Sequence, residues 1–596
     1  MLKPAITVKR SVAGFSILLG IYLLYVAIRL VMLASTGSSL LARIDKLQVD
    51  NAAANPSALS ASVESLSVDV ENLNSIANDP LLEPIKWLPV VGKDFSAVAQ
   101  LADASHGIAT AAEPLLSSLT TLDANQNGDS WNAFKTDAAA GLGSRIDALL
   151  ASVEKAETVV TPLTKQSLDF GLSQKIQPLG ERLHEAKAGL TTLKPLATTL
   201  ALVLAQPKPK TWFIATQNLA EARATGGILG SFAVVNVANG KVKLVAAGSD
   251  QDLAAFGKVN FSALPEEVRS LWGVNIEDWR DMNASLHTPY FGEQIANSFS
   301  KIKKIDGVLF MGQGTVAQLV AATGSMNIDG VEITSSNAAD FLGKGIYARY
   351  ESVPKKNAWV VAFMHTLFSR LSDQKYDAKA MWAAAIANQS GDRLSAWSAD
   401  PALQTKFVQA QVAGVVSDKL GSTTLFSVNN AGGNKLDAYL KLKASYALGA
   451  CGQLTDYGFD GREATFALNL KNGAPKKGLP GYVTPRLDSL PGQHHTVGSN
   501  RELVSIYAPV GATFTEFTLD GDLINATEGV DRGHPVWVLD IELEPGETKK
   551  LVAKWVEPVT DTNGREVQTQ PVLIAPVAFN SVDTEVKSSG FCEIRN

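Results

Sequence analysis

The sequence predicts a multidomain α+β protein: a single N-terminal transmembrane helix, a helical bundle or stalk, a central mixed α/β domain and a C-terminal β-sandwich. Three observations lead there. An apolar run follows Lys9-Arg10; Ala, Ser and Leu then recur at helical spacing; and beyond "PKPK" at Pro207–Lys210 strands and Gly/Pro/Asn/Asp turns take over. A chain of 596 residues exceeds a single hydrophobic core, so several domains are required. Boundaries fall at 1–36 for a cytoplasmic stub and anchor, 37–206 for the bundle, 207–420 for the α/β domain and 421–596 for the sandwich. With 46% hydrophobic and 19% charged residues the composition is that of a folded chain. Its net charge of −6, without a long basic cluster outside the N-terminus, argues against nucleic acid as a partner.

The first element is "SVAGFSILLGIYLLYVAIRLVMLAS", Ser11 to Ser35. About 20 apolar residues suffice to cross the hydrocarbon core. Arg29, its one charge, lies near the far end, where a long side chain can extend to the headgroups. Lys3, Lys9 and Arg10 on the near side predict an N-terminus inside and the bulk of the chain outside the cell membrane. A cleavable signal peptide competes, but the apolar core is long and no A-x-A site follows; an uncleaved anchor is preferred.

The bundle rests on stretches such as "SALSASVESLSVDVENLNSIAN", where Leu59, Val63, Leu66, Val70 and Leu73 keep three- and four-residue steps. Such stripes read as packing surfaces. In the α/β domain "TWFIAT" and "ILGSFAVVNV" are strands, Asn239-Gly240 and Asp329-Gly330 are hairpin turns, "IDGVLFM" is a strand, and "TVAQLVAA" a short helix ended by Gly324. Helices "NAWVVAFMHTLFSRLS", "DAKAMWAAAIAN" and "ALQTKFVQAQVAG" follow. Short alternating strands from "AYLKLKASYAL" onward predict the sandwich. Only Cys451 and Cys592 exist. In an oxidising compartment they suggest one disulfide; two buried free thiols are the alternative.

Two polar clusters interrupt this apolar grammar. The first, "EARATGG", sets Glu221 and Arg223 before Gly226-Gly227; the second gathers Arg280, Asp281 and Asn283 ahead of Pro289 and Phe291. Arginine forks match phosphate oxygens, and a glycine turn lets backbone donors approach them. An internal ion-pair network bracing the turn, with Glu221 or Asp281 against Arg223 or Arg280, fits the same residues. "FMGQGTVA" has the outline of a dinucleotide loop, but its helix is short and its compartment wrong for a nicotinamide cofactor.

Together the clusters resemble the actinobacterial domain of unknown function family 4012. Its motif N-x-x-E-x-R-x-T-G-G-x-x-G-S reads here as Asn218, Glu221, Arg223, Thr225, Gly226, Gly227, Gly230 and Ser231. Its second motif appears as Arg280, Asp281, Asn283, Pro289 and Phe291, and its third as Ile305–Val308 with Ala322–Gly324. The anchor, "WLPVVG" and the C-terminal strands are also similar to that family. More distantly, the order of elements resembles the LytR-CpsA-Psr enzymes, which transfer glycopolymers from a polyprenyl-pyrophosphate carrier to peptidoglycan, although their arginine pattern is not reproduced. That resemblance implies an extracytoplasmic envelope protein that binds or transfers such a carrier-linked glycopolymer. It implies Arg280 and Asp281 in catalysis, Glu221, Arg223, Gly226, Gly227 and Asn283 in substrate binding, and Mg²⁺ on Asp250, Asp252 and Asp281. A non-catalytic envelope scaffold, or a module binding a glycan or another partner, is the alternative.

Overall fold

The computed structural model describes residues 56–593 apart from 89–90, 125–135, 169–171, 205, 260–263, 273–277, 374, 378–379, 382–393, 457, 459, 577–581 and 589, together with scattered positions between 22 and 36. The chain divides into two units, Met1–Ala205 and Gln206–Asn596.

The first unit is helical. Helices α1 (Pro56–Ala77), α2 (Gly92–Ala124), α3 (Thr136–Leu163) and α4 (Leu172–Leu204) each pack against the next in the chain. Their buried stripes meet in two clusters, one with Val70, Leu73, Ile76, Phe95 and Ala102, the other with Val153, Val160, Ile176 and Leu183. Pro80 opens a 3-10 turn, Pro80–Trp87, whose first amide is capped by Asp79 through Leu81 N at 3.0 Å. Most of the apolar run Ser11–Ser35 lies outside the described residues. Among those described no helix is long and apolar enough to cross a membrane, so the expected span is not found there. The described positions from Tyr22 to Thr36 are helical, and Tyr25, Val26 and Leu33 pack into the first cluster. Arg29, expected at lipid headgroups, ion-pairs with Asp79 at 3.0 Å.

In the second unit a five-stranded mixed sheet forms from β1 (Lys210–Asn218), β2 (Ile228–Ala238), β3 (Lys241–Ser249), β4 (Gly307–Met311) and β7 (Leu394–Ser398), in the order β3-β2-β1-β4-β7. Strands β5 (Met326–Ile328) and β6 (Val331–Ile333) make a separate hairpin. β1 runs parallel to β4 and antiparallel to β2. It is buried along nearly its whole length, as a central strand covered on both faces must be. Phe213 and Ala215 cluster with Phe291, Ile295 and Phe299 of helix Thr288–Phe299. From the opposite face Thr216 donates to the Met364 sulfur of helix Val353–Ser372. Both hairpin signals are realised: Asn239 and Gly240, like Asp329 and Gly330, take positive φ.

Two further sheets follow. One contains β9 (Leu440–Leu454), β10 (Asp460–Asn472), β12 (Thr513–Leu519), β13 (Asp522–Leu523), β16 (Thr548–Pro558) and β18 (Val582–Lys587). The other contains β8 (Thr423–Asn430), β11 (Asn500–Tyr507), β14 (Thr527–Asp531), β15 (His534–Leu543) and β17 (Val572–Ile574). Alternate residues of both, among them Phe426, Val504 and Leu539 against Tyr446, Phe466 and Trp555, share one core. Cys451 and Cys592 are disulfide-bonded, tying the C-terminal tail to β9.

Candidate functional site

Between β1 and β2 the chain folds back on itself, and the glycine pair permits this. Gly226 and Gly227 hold φ of 140° and 125°, a region costly for any residue with a Cβ. There is also no room: a Cβ on Gly227 would lie 2.3 Å from Asn218 O, and one on Gly226 2.8 Å from Gln217 Oε1. Two backbone bonds lock the turn, Gly226 N to Arg223 O at 3.0 Å and Ile228 N to Glu221 O at 2.8 Å.

The motif side chains close around that turn. Arg223 is 7% exposed. Its Nη1 donates to Ala222 O at 2.7 Å and Asn430 O at 3.2 Å, and its Nη2 to Asp281 Oδ1 at 2.5 Å. Glu221 pairs with Lys435 at 3.0 Å. Asn283 donates to Thr225 Oγ1 and to Gly227 O, both at 2.9 Å, and Gln217 reaches the same Thr225 hydroxyl at 2.6 Å. Backbone amides of the turn extend the network: Ala222 N donates to Asp437 Oδ2 at 2.6 Å and Ala224 N to Asn429 Oδ1 at 3.0 Å. The turn is thereby joined to β8 and to the loop after it.

Behind this junction two fully buried carboxyls, Asp437 and Glu502, share the donor Asn500 Nδ2 at 3.1 and 3.2 Å. Burial pushes both above their ordinary range, Glu502 further through the charge of Asp437. The close pair holds a proton that two exposed carboxylates would release. His287, next to the second motif, is also buried; Val416 N donates to its Nδ1 at 3.2 Å. Burial first, then the Arg532 charge, pushes its pKa down to about 3, so it stays neutral.

Of the remaining expected site residues, Arg280 lies within electrostatic reach of Asp250 and of the Asp281 that pairs with Arg223, but its own fork is taken by Asp278. Arg280 forks onto neighbouring Asp278, at 2.9 Å from Nε and 2.6 Å from Nη2, and is half exposed; that carboxylate raises its pKa. Asp252 accepts from Ser249 N and Oγ at 2.7 and 2.8 Å, a capping box for its own short helix. Asp250 leaves a buried Oδ1 without a hydrogen bond among the described residues. Among the described residues no group of three or more His, Cys, Asp or Glu side chains is placed to hold a metal ion.

An opening lies beside the motif, off the carboxyl ends of the parallel pair β1 and β4, where α/β sheets commonly take ligands. Thr216, Gln217, Asn218, Ser231, Gln313 and Lys356 supply its polar lining, and Leu342, Ile346, Val360, Phe363 and Met364 its apolar lining. Asn218 organises the polar lining: Gln313 Nε2 donates to its Oδ1 at 2.8 Å, and its Nδ2 donates to Tyr347 Oη at 3.1 Å. Lys356 is 9% exposed and faces no carboxylate at ion-pair distance among the described residues. Its ammonium sits 5.4 Å from the Tyr347 ring centroid, and burial lowers its pKa. Sequence reasoning passed over Lys356, since "VPKKNAW" reads as a charged helix start. One signal existed: 356, 360, 363 and 364 form a single helical face, apolar except for the lysine.

Residues 208–347 match the family model described as Protein of unknown function (DUF4012). The match contains both strands of the motif turn and Asn218 through Tyr347, and it ends before Lys356. No curated protein matches the chain.

Proposed function

We propose that the protein is a single-pass, extracytoplasmic envelope protein whose Gln206–Asn596 unit binds a ligand rather than transferring a glycopolymer. The observation that carries this reading is the engagement of Arg223. A pyrophosphate site needs arginine forks open to phosphate oxygens. Here the motif arginine is buried against Asp281 and two carbonyls, and Arg280 is bound to Asp278. In this reading the two sheets that share a core form the expected β-sandwich. This reading keeps the sequence resemblance to the LytR-CpsA-Psr enzymes in the order of elements and sets aside their chemistry. Anchoring is supported by the apolar run after Lys9-Arg10, by Trp87 at 87% exposure between exposed Leu81 and Leu88, and by a disulfide suited to an oxidising compartment.

Titration of the detergent-solubilised full chain with a short-chain prenyl pyrophosphate, with and without Mg²⁺, tests the choice. The expected result is no saturable heat and no release of phosphate. Mg²⁺-dependent binding that Arg223→Lys abolishes without lowering the melting temperature would replace this reading with the transferase.

A further inference from the structure

We infer that His534 is a proton-dependent latch: it grips the connector between helix Pro401–Gln409 and β8 while both its ring nitrogens are protonated, and lets go when pH rises. The latch is independent of the binding reading above.

His534 opens β15 and is 1% exposed. Its Nδ1 lies 2.6 Å from Ala508 O, and its Nε2 lies 2.8 Å from Ser417 O. A carbonyl oxygen only accepts, and a neutral imidazole carries a single N–H. A neutral ring would therefore press a lone pair against one of two buried carbonyls and leave both groups unsatisfied. The imidazolium has two N–H groups and meets both. A buried cation needs compensation, and the surroundings supply it. Across the hairpin, fully buried Asp531 of β14 pairs in register with His534. Asp531 accepts from Ser285 Oγ at 2.7 Å, Tyr507 Oη at 3.1 Å and Tyr290 Oη at 3.4 Å. Burial raises its pKa; the bonds from Ser285 and Tyr507, and then the His534 charge, oppose the rise. Arg532, in the turn between the two strands, pairs with Asp418 at 2.7 Å. Glu267 acts on this group through Tyr290, and the Tyr507 ring lies edge-on to the imidazole at 6.3 Å.

What the latch holds is the connector, at three consecutive residues. Val416 N donates to His287 Nδ1, Ser417 O accepts from His534 Nε2, and Asp418 pairs with Arg532. The two histidines make opposite demands. His287 must be neutral to accept from Val416, and burial, followed by the Arg532 charge, keeps it so down to about pH 3. His534 must carry both protons to serve both carbonyls. Rising pH therefore spares the contacts at 416 and 418 and removes one of the two His534 bonds, its proton passing to solvent. The shorter contact, to Ala508 O, retains the remaining N–H. Ser417 O, on the connector, is the carbonyl released.

The detergent-solubilised full chain is labelled with ¹⁵N in its seven histidines, and His534→Gln, or His534→Asn where the first folds poorly, identifies the His534 signals. At about pH 5.5 both its ring nitrogens should be of the protonated type, while His287 in the same spectrum keeps one lone-pair nitrogen. At about pH 8.5 His534 Nε2 should have become the lone-pair type. Over that interval amide exchange in 410–422, corrected for its intrinsic pH dependence, should quicken about tenfold in wild type, as expected for losing one charge-assisted hydrogen bond. In His534→Gln, whose side chain does not titrate, the corrected exchange should stay level. A neutral His534 ring at the acid point, no exchange step in wild type, or a step of equal size in His534→Gln each overturns the latch.

Discussion

Arg223 places Nη1 on two carbonyls and Nη2 on Asp281, whereas Lys356, about as buried, has no carboxylate at ion-pair distance among the described residues, Asp250 and Glu221 acting on it only from further off. The glycines beside Arg223 are as constrained as the arginine. Gly227→Ala should destabilise the protein by at least about 3 kcal/mol, combining strain at positive φ with a collision against Asn218 O, and soluble yield with melting temperature checks it. The Asp437–Glu502 pair predicts a pH effect of defined sign. Both folded pKa values lie above the ordinary carboxylate range near 4, so the folded chain keeps a proton that the unfolded chain has lost. Their contribution is full below that range and declines as pH rises through the folded values. His287 acts oppositely, its depressed pKa removing stability as pH falls below about 6.5. A comparison of wild type with Glu502→Gln isolates the pair, since the amide supplies a permanent donor: the variant should lose stability less steeply as pH rises from the ordinary carboxylate range through about 6, the folded value of Asp437, in parallel denaturant melts. The motif residues and the pairing of Asp281 with Arg223 were legible in the sequence; the backbone partners were not. Arg223 and Asn430 are 207 positions apart, and no spacing rule reaches that far.

At the scale of elements, local chemistry foretold what local chemistry controls. Asn239-Gly240 and Asp329-Gly330 demand left-handed turns and form hairpins; Gly324, at φ 81°, ends the helix before it. Helix Thr288–Phe299 was hidden by its aromatic and proline content, and it exists because Phe291, Ile295 and Phe299 complete the core over β1. The predicted helix "DAKAMWAAAIAN" lies mostly outside the described residues. Strand β18 pairs in parallel with β9 and is largely exposed, so the Cys451–Cys592 bridge is a main restraint on the tail. It closes a loop with a sequence separation of 141, for which chain entropy gives about 5 kcal/mol. Cys592→Ser should expose residues after 575 to limited proteolysis at once and leave the five-stranded sheet resistant. Equal resistance in both proteins would show that β18 holds without the bridge.

For the whole molecule, a change of sequence grammar separated a helical unit from a strand-bearing one, while the way in which the sheets of the second unit are joined came only from the fold. Segment 221–225 connects the end of β1 to β8 and the loop after it through Asp437, Asn429 and Asn430, and the charge at its centre is Arg223. In the helical unit the proposed anchoring makes its own prediction: in vesicles containing brominated lipid, fluorescence quenching should fall on Trp87→Phe, and unchanged quenching would place that residue away from the bilayer. The account's central claim is that Arg223 braces the turn rather than binding a ligand. A double-mutant cycle over Arg223→Met and Asp281→Asn, read by denaturant melts, tests it most directly. The brace predicts a coupling of about 1–3 kcal/mol, with each single variant destabilised and the double variant losing less than the sum. Additivity within about 0.5 kcal/mol, with Arg223→Met as stable as wild type, would contradict it.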